Sequence, residues 1–175
     1  MGRRLAGLKT QGHLTPYWTK ESISQIPFVT PPNPNIGFDL VDDQDQIRYN
    51  GLITADRVTE LPEVLKSDLL EKEFDWLENK IYAVHRMNPG TLLPIHRDLY
   101  RYFKTNNNID NINDIIRVIV FLDSWHSGQL LEINDTMVVN WQAGDWYMWR
   151  GGDAHLAANL GHQNRYTLQI TGTLK

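Results

Sequence analysis

The sequence contains no cysteine. Disulfides, thiolate metal ligands, iron–sulfur clusters and cysteine nucleophiles are therefore excluded together, and any metal must be held by imidazole and carboxylate. Long hydrophobic runs are also missing, since no window approaches the ~20 apolar residues that a bilayer span needs. The start, Met1-Gly2-Arg3-Arg4, has basic residues without the apolar stretch of a signal peptide behind it. These absences predict a cytoplasmic protein with no membrane partner. Positive charge is not in excess: 17 Lys and Arg stand against 21 Asp and Glu, a formal charge of −4. Acidic residues gather over 39–45, so charge gives no reason to expect nucleic acid as a partner.

What is present fits one ordinary domain. The 175 residues, 41% hydrophobic and 22% charged, suffice to bury a continuous core without covalent help. Residues 1–58 are rich in punctuation, above all Pro31-Pro32-Asn33-Pro34-Asn35, which suits neither a helix nor a central strand. They read as an arm of short strands and loops. Leu61, Val64, Leu65, Leu69, Phe74 and Leu77 then recur at helical spacing behind Pro62 and Glu63, predicting one helix within 59–80.

From 81 to 175 the pattern becomes that of strands separated by turn signals: 81–87, 91–96, 115–122, 130–133, 137–141, 146–149 and 166–174. Asn88-Pro89-Gly90, Asn134-Asp135 and Gln142-Ala143-Gly144-Asp145 read as their connections. The fold class is mainly β (α+β), a sandwich or barrel with at least one N-terminal helix packed on it. The polar stretch 100–114 reads as a mobile loop at the barrel mouth.

The chemistry starts with His96-Arg97-Asp98 at the end of a strand-like run. Side chains two apart on a strand share a face, so an imidazole and a carboxylate there can bind one ion. Alone the pair is a weak signal. His155, after the Gly151-Gly152-Asp153 turn, sits where a returning strand could bring a second imidazole to the first pair. Two imidazoles and a carboxylate on one side of an iron(II) ion leave three positions open. Arg165 begins the last strand. Alternation places Arg165, Thr167, Gln169 and Thr171 on one face, and Tyr166, Leu168 and Ile170 on the other. If the polar face lines a barrel interior, Arg165 is a buried cation that needs an anion, and a carboxylate meets its fork with help from the Thr167 hydroxyl. Arg117, alone in an apolar strand, favours function over a structural ion pair.

His96-x-Asp98, a distal His155 and Arg165-x-Thr167 together resemble the double-stranded β-helix (jelly-roll, cupin-like) oxygenases that depend on iron(II) and 2-oxoglutarate, over about residues 81–174. Met87-Asn88-Pro89-Gly90, Ile95-His96-Arg97-Asp98, Ile116-Arg117-Val118 and Trp141-Gln142-Ala143-Gly144-Asp145 are most similar to the aspartyl/asparaginyl β-hydroxylase branch and its free-proline hydroxylase relatives. The resemblance implies metal ligation by His96, Asp98 and His155, and 2-oxoglutarate held by Arg165 and Thr167 with Arg117 at the co-substrate or substrate. It also implies dioxygen as oxidant. The implied reaction hydroxylates a C–H bond of an amino acid or peptidyl residue and releases succinate and CO2. The residues also admit a cupin-like zinc or iron hydrolase, or a silent β-barrel binding module. His85 is read as a structural strand histidine, His126 and His162 as solvent-facing loop residues, and His13 as lacking a nameable partner. Trp141, Trp146 and Trp149 are core by default.

Overall fold

The computed structural model describes residues 10–30 and 55–175, and the backbone of 38–40. The remainder of the expected arm, including its proline cluster and most of its acidic stretch, lies outside the described residues. Among the described residues, eleven strands and three short helices follow in chain order. They are β1 (Gln11–His13), α1 (Lys20–Ser24), β2 (Phe38–Leu40), β3 (Asp56–Val58), α2 (Asp68–Glu73), β4 (Leu77–Met87) and β5 (Thr91–Asp98). After these come α3 (Arg101–Asn107), β6 (Ile115–Phe121), β7 (Gln129–Ile133), β8 (Thr136–Val138), β9 (Asp145–Arg150), β10 (His155–Asn159) and β11 (Arg165–Leu174). No helix among the described residues is long and apolar enough to cross a membrane.

Two antiparallel sheets result, one in the order β1-β9-β6-β11-β4-β3 and the other β2-β5-β10-β7-β8. From β4 to β11 the chain passes back and forth between them, which is the winding of a double-stranded β-helix. The turns follow from residue chemistry. Gly90 (φ 82) closes a turn after Pro89, with the Thr91 amide donating to the Asn88 carbonyl at 3.1 Å. Asn134 and Asp135 both take positive φ between β7 and β8, as a two-residue hairpin requires.

The large sheet is covered on both faces, which explains why β6, Ile-Ile-Arg-Val-Ile-Val-Phe, is buried at every position. Val118, Val120, Leu168, Ile170 and Met148 face a core shared with Trp18, Ile23, Leu65, Leu70 and Phe74 from the N-terminal segments. The opposite face of that sheet and the inner face of the small sheet enclose a cavity of about 450 Å³.

Three expectations are corrected. The helix foreseen within 59–80 is a 3-10 turn at Glu63–Leu65 followed by α2. Lys66 is extended, and the Ser67 side chain accepts from the Leu69 amide, so the helix restarts from a local cap instead of running through. Leu77, counted as helical, opens β4. The stretch 100–114 is not a bare loop: it holds α3 and a 3-10 turn at Ile112–Asp114, with Tyr100, Phe103 and Ile115 forming a small core of their own. Its apolar residues are scattered among asparagines and charged residues in the sequence, yet they decide its packing. His13, without a foreseen partner, lies 2.8 Å from the Asp145 carboxylate through Nδ1.

The N-terminal segment is held where the Leu14 amide donates to the Gly144 carbonyl at 2.9 Å. A Cβ at Gly144 (φ +92) would stand 2.0 Å from the Leu14 oxygen, whereas one at Gly90 would meet nothing within 4 Å. Gly90→Ala should therefore cost only the backbone strain, about 1–3 kcal/mol, and Gly144→Ala clearly more. Urea unfolding of both variants checks this, and equal losses would contradict the close approach.

Candidate metal centre

A register shift in the small sheet places the first ligands. His155 pairs with His96, but Ala157 pairs with Leu93, so the β5–β10 ladder slips by one residue around Pro94. Proline has no amide to donate, which favours such an interruption. The slip lets both Leu93 and His96 face the cavity despite their odd spacing, and Asp98 follows on the same face two residues later. β10, a strand that the sequence reading left out, brings His155 beside His96 with ring centroids 4.3 Å apart.

Ligand atoms of His96, Asp98 and His155 all lie within 4.8 Å of one another. His96 is 1% and His155 5% exposed, so water competes little for this point. Nδ1 of His96 lies 2.7 Å from the Pro94 carbonyl oxygen, and Nδ1 of His155 lies 3.2 Å from that of Asp153. A carbonyl can only accept, so Nδ1 carries the proton in each ring and Nε2 keeps its lone pair. Both Nε2 atoms turn toward the Asp98 carboxylate, at 3.9 Å from Oδ1 for His96 and 3.7 Å from Oδ2 for His155. Burial, followed by the neighbouring His96, pushes the His155 pKa down to about 4. Burial also depresses that of His96. Burial by itself would raise the Asp98 carboxyl, but Arg117 and the two imidazoles outweigh it and hold it at about 2. Two neutral imidazoles and an ionised carboxylate are a donor set that fits a divalent first-row metal.

Arg117 stands behind Asp98 on β6. Nη2 donates to Asp98 Oδ2 at 2.7 Å, Nη1 to the Thr171 hydroxyl at 2.7 Å, and Nε to the Tyr100 hydroxyl at 3.1 Å. The Tyr100 ring also lies under the guanidinium, 4.8 Å from its carbon. Each nitrogen of Arg117 thus already has a partner in the chain. Arg117 thus clamps one carboxylate oxygen of Asp98 and, like the three ligands, lines the cavity.

Arg165 is placed differently. It is 3% exposed and lies over the stacked rings of Phe121 and Trp141, 5.4 and 5.5 Å from their centroids. Nη1 reaches the Leu130 carbonyl at 3.2 Å and the Met87 sulfur at 3.1 Å, while Nε has no hydrogen-bond partner. No carboxylate pairs with it among the described residues, and burial pushes its pKa down to about 9. Thr167 is on the same strand face and, like Arg165 and the three ligands, lines the cavity. His85 also lines it, and is not one of the three clustered ligands. His126, read as solvent-facing, lies 3.3 Å from Asp123; His162 is exposed as expected.

In the metal-free chain, acid should act through these buried groups. Folded His155 takes a proton only near pH 4 and His85 only near 3, against an ordinary 6.5. The unfolded chain therefore binds more protons between those values, and stability is lost as pH falls below about 6.5. Asp98, held near 2, extends the loss below its ordinary 3.8. The melting temperature should drop steadily from pH 7 to 4.5, and a flat profile would contradict the burial of neutral imidazoles. Replacing Arg117 by Met should weaken metal binding by about 10–100-fold. Competition against a chelator, on the folded fraction, reads this directly, and unchanged affinity would detach Arg117 from the centre.

No protein-family model matches the chain, and no curated protein matches it. Solved structures do. A prolyl-4-hydroxylase from Pseudomonas putida is 13% identical, covering 75% of this chain and 83% of its own, with a TM-score of 0.51. A predicted oxalate decarboxylase from Thermotoga maritima is 16% identical over 69% and 82% of the two chains, with a TM-score of 0.43. The Cnp3 cupin domain of Schizosaccharomyces pombe is 11% identical, at a TM-score of 0.42, and the match covers 68% of this chain and 64% of that one. The likeness to the hydroxylase structure is one of fold, and it agrees with the strand order: the chain has the double-stranded β-helix fold of the cupin type, with a buried triad able to hold a metal inside it.

Proposed function

We propose that this chain is an iron(II)- and 2-oxoglutarate-dependent dioxygenase that hydroxylates an unactivated C–H bond of an amino acid or peptidyl residue. One observation carries the reading. A buried guanidinium with no counter-charge among the described residues, Arg165, shares a cavity with the His96, Asp98 and His155 triad. An isolated buried cation is costly, by several kcal/mol, and a fixed arginine fork inside a metal cavity suits a ligand with an acid at each end. Zinc hydrolysis gives no reason for such a clamp.

Iron(II) bound at the triad would supply the coupled oxidation, in which 2-oxoglutarate and O2 become succinate and CO2 as the substrate C–H gains an oxygen. The chain's own residues do the rest. His96 and His155 present unprotonated Nε2 atoms, each oriented by a carbonyl behind it. Arg117 keeps Asp98 ionised and directed. Arg165, with the Thr167 hydroxyl beside it, receives the far carboxylate of the co-substrate. Leu93, Ile119, Leu131 and Ala157 make the intervening walls apolar, which limits water around the reacting centre.

Anaerobic titration of iron(II) and 2-oxoglutarate into the protein should produce a weak visible metal-to-ligand charge-transfer band. In Arg165→Met the band should need about a hundredfold more 2-oxoglutarate, consistent with loss of a buried charge pair, while iron affinity stays near that of the wild type. Tight zinc binding with no spectral response to 2-oxoglutarate would favour a hydrolase instead. Succinate release, screened over amino acids and peptides with mass detection of an added oxygen, then identifies the substrate.

A further inference from the structure

The cavity contains polar groups that neither the metal centre nor the co-substrate clamp uses. On the large sheet one row of residues crosses four strands: Phe121 of β6 is opposite Thr167 of β11, Thr167 opposite His85 of β4, and His85 opposite Arg57 of β3. Thr167, His85 and Arg57 line the cavity, and Gln169 lines it one step along β11. Neither His85, Gln169 nor Arg57 makes a side-chain hydrogen bond or ion pair among the described residues, although Asp56, next to Arg57, is fully engaged by Arg86, Asn88 and Thr30.

Among the described residues, positive charges predominate around this row. Arg57, Arg101, Arg117 and Arg165 line the cavity against a single described carboxylate, Asp98. Asp98 is taken up by Arg117, and Arg165 lies on the far side of Thr167. Arg57 and Arg101, both exposed and both lining the cavity, have no ion-pair partner among the described residues, although the whole chain carries a net charge of −4. His85 adds no charge: burial, then Arg117 and Arg57, push its pKa down to about 3. At neutral pH its imidazole offers one donor and one acceptor beside the Arg57 guanidinium. An ammonium group entering here would meet two guanidiniums and find no described carboxylate except the proposed metal ligand. An anion would meet a fork, a neutral imidazole and an amide, whose side chains have no hydrogen-bond partner among the described residues.

We propose that the prime substrate carries an acidic group, a carboxylate or a phosphate, which Arg57 receives at the β3 side of the cavity with His85 and Gln169 hydrogen-bonding beside it. The substrate then extends past Thr167 toward the triad, and Arg57 and His85 determine which molecules are positioned for attack. This names the substrate class of the oxygenase reading and rests on it.

Calorimetry on manganese(II)-loaded protein, with and without 2-oxoglutarate, tests the assignment. The probes are matched pairs: small carboxylic acids against their primary amides, and phosphate monoesters against their alcohols. The acids of one or both series should bind at least tenfold more tightly than their neutral partners, and the series with the larger preference identifies the anion. In Arg57→Gln that preference should disappear, while affinity for 2-oxoglutarate, which lies beyond the reach assigned to Arg57, should change less than twofold. Neutral partners binding as well as acids, no acid binding at millimolar concentration, or a full preference retained in Arg57→Gln would each overturn the proposal. Should 2-oxoglutarate fail to bind while acids still distinguish wild type from Arg57→Gln, the acid site stands and the oxygenase reading falls.

Discussion

A buried guanidinium with no counter-charge among the described residues organises the interior of this protein. Arg165 sits over the faces of Phe121 and Trp141, with one carbonyl and one thioether for company. The ring faces soften the cost of a desolvated cation but do not cancel it. Such a group persists only if the surrounding fold holds it there. β11 does so by placing Tyr166, Leu168 and Ile170 in the packed core of the large sheet, which leaves Arg165 and Thr167 no direction but the cavity. The strand's stability is thus drawn from one face and its chemistry is presented on the other.

The second arginine obeys the opposite rule. Arg117 is equally embedded in an apolar strand, yet all its nitrogens are satisfied by Asp98, Thr171 and Tyr100. Its charge is spent on keeping a carboxylate ionised at the point where two neutral imidazoles converge. A metal site needs deprotonated ligands before any metal arrives, and here the low dielectric that neutralises the histidines and the ion pair that fixes the aspartate act together. Two buried arginines on the neighbouring strands β6 and β11 therefore serve different ends because one has an anion among the described residues and the other has none.

Strand alternation made much of this visible in the sequence. The polar and apolar faces of β11 follow from reading every second residue, and the two-residue spacing of His96 and Asp98 follows from the same rule. Less visible was what depends on tertiary context. The slip around Pro94 that lets Leu93 and His96 share a face arises between strands, and no single-strand pattern shows it. β10 was overlooked because His155-Leu156-Ala157-Ala158-Asn159 has no clear alternation, being buried at four of its five positions. The broken helix before β4 turned on one serine side chain capping its own backbone, a local competition that apolar spacing does not register. His85 reads as a strand histidine from its alternation with Ala83 and Met87, and it stays outside the ligand group. Only the register with Thr167 and Arg57 shows that it belongs to the cavity.

The central claim is that Arg165 and the triad grip the two ends of one small dicarboxylate. A crystal structure of the protein grown anaerobically with manganese(II) and 2-oxoglutarate addresses it most directly. The expected result is metal among His96, Asp98 and His155, with the distal carboxylate of 2-oxoglutarate in a two-pronged pair with Arg165 and within hydrogen-bond distance of Thr167. Manganese at the triad with Arg165 still unpaired, or 2-oxoglutarate seated elsewhere on the protein, would contradict it.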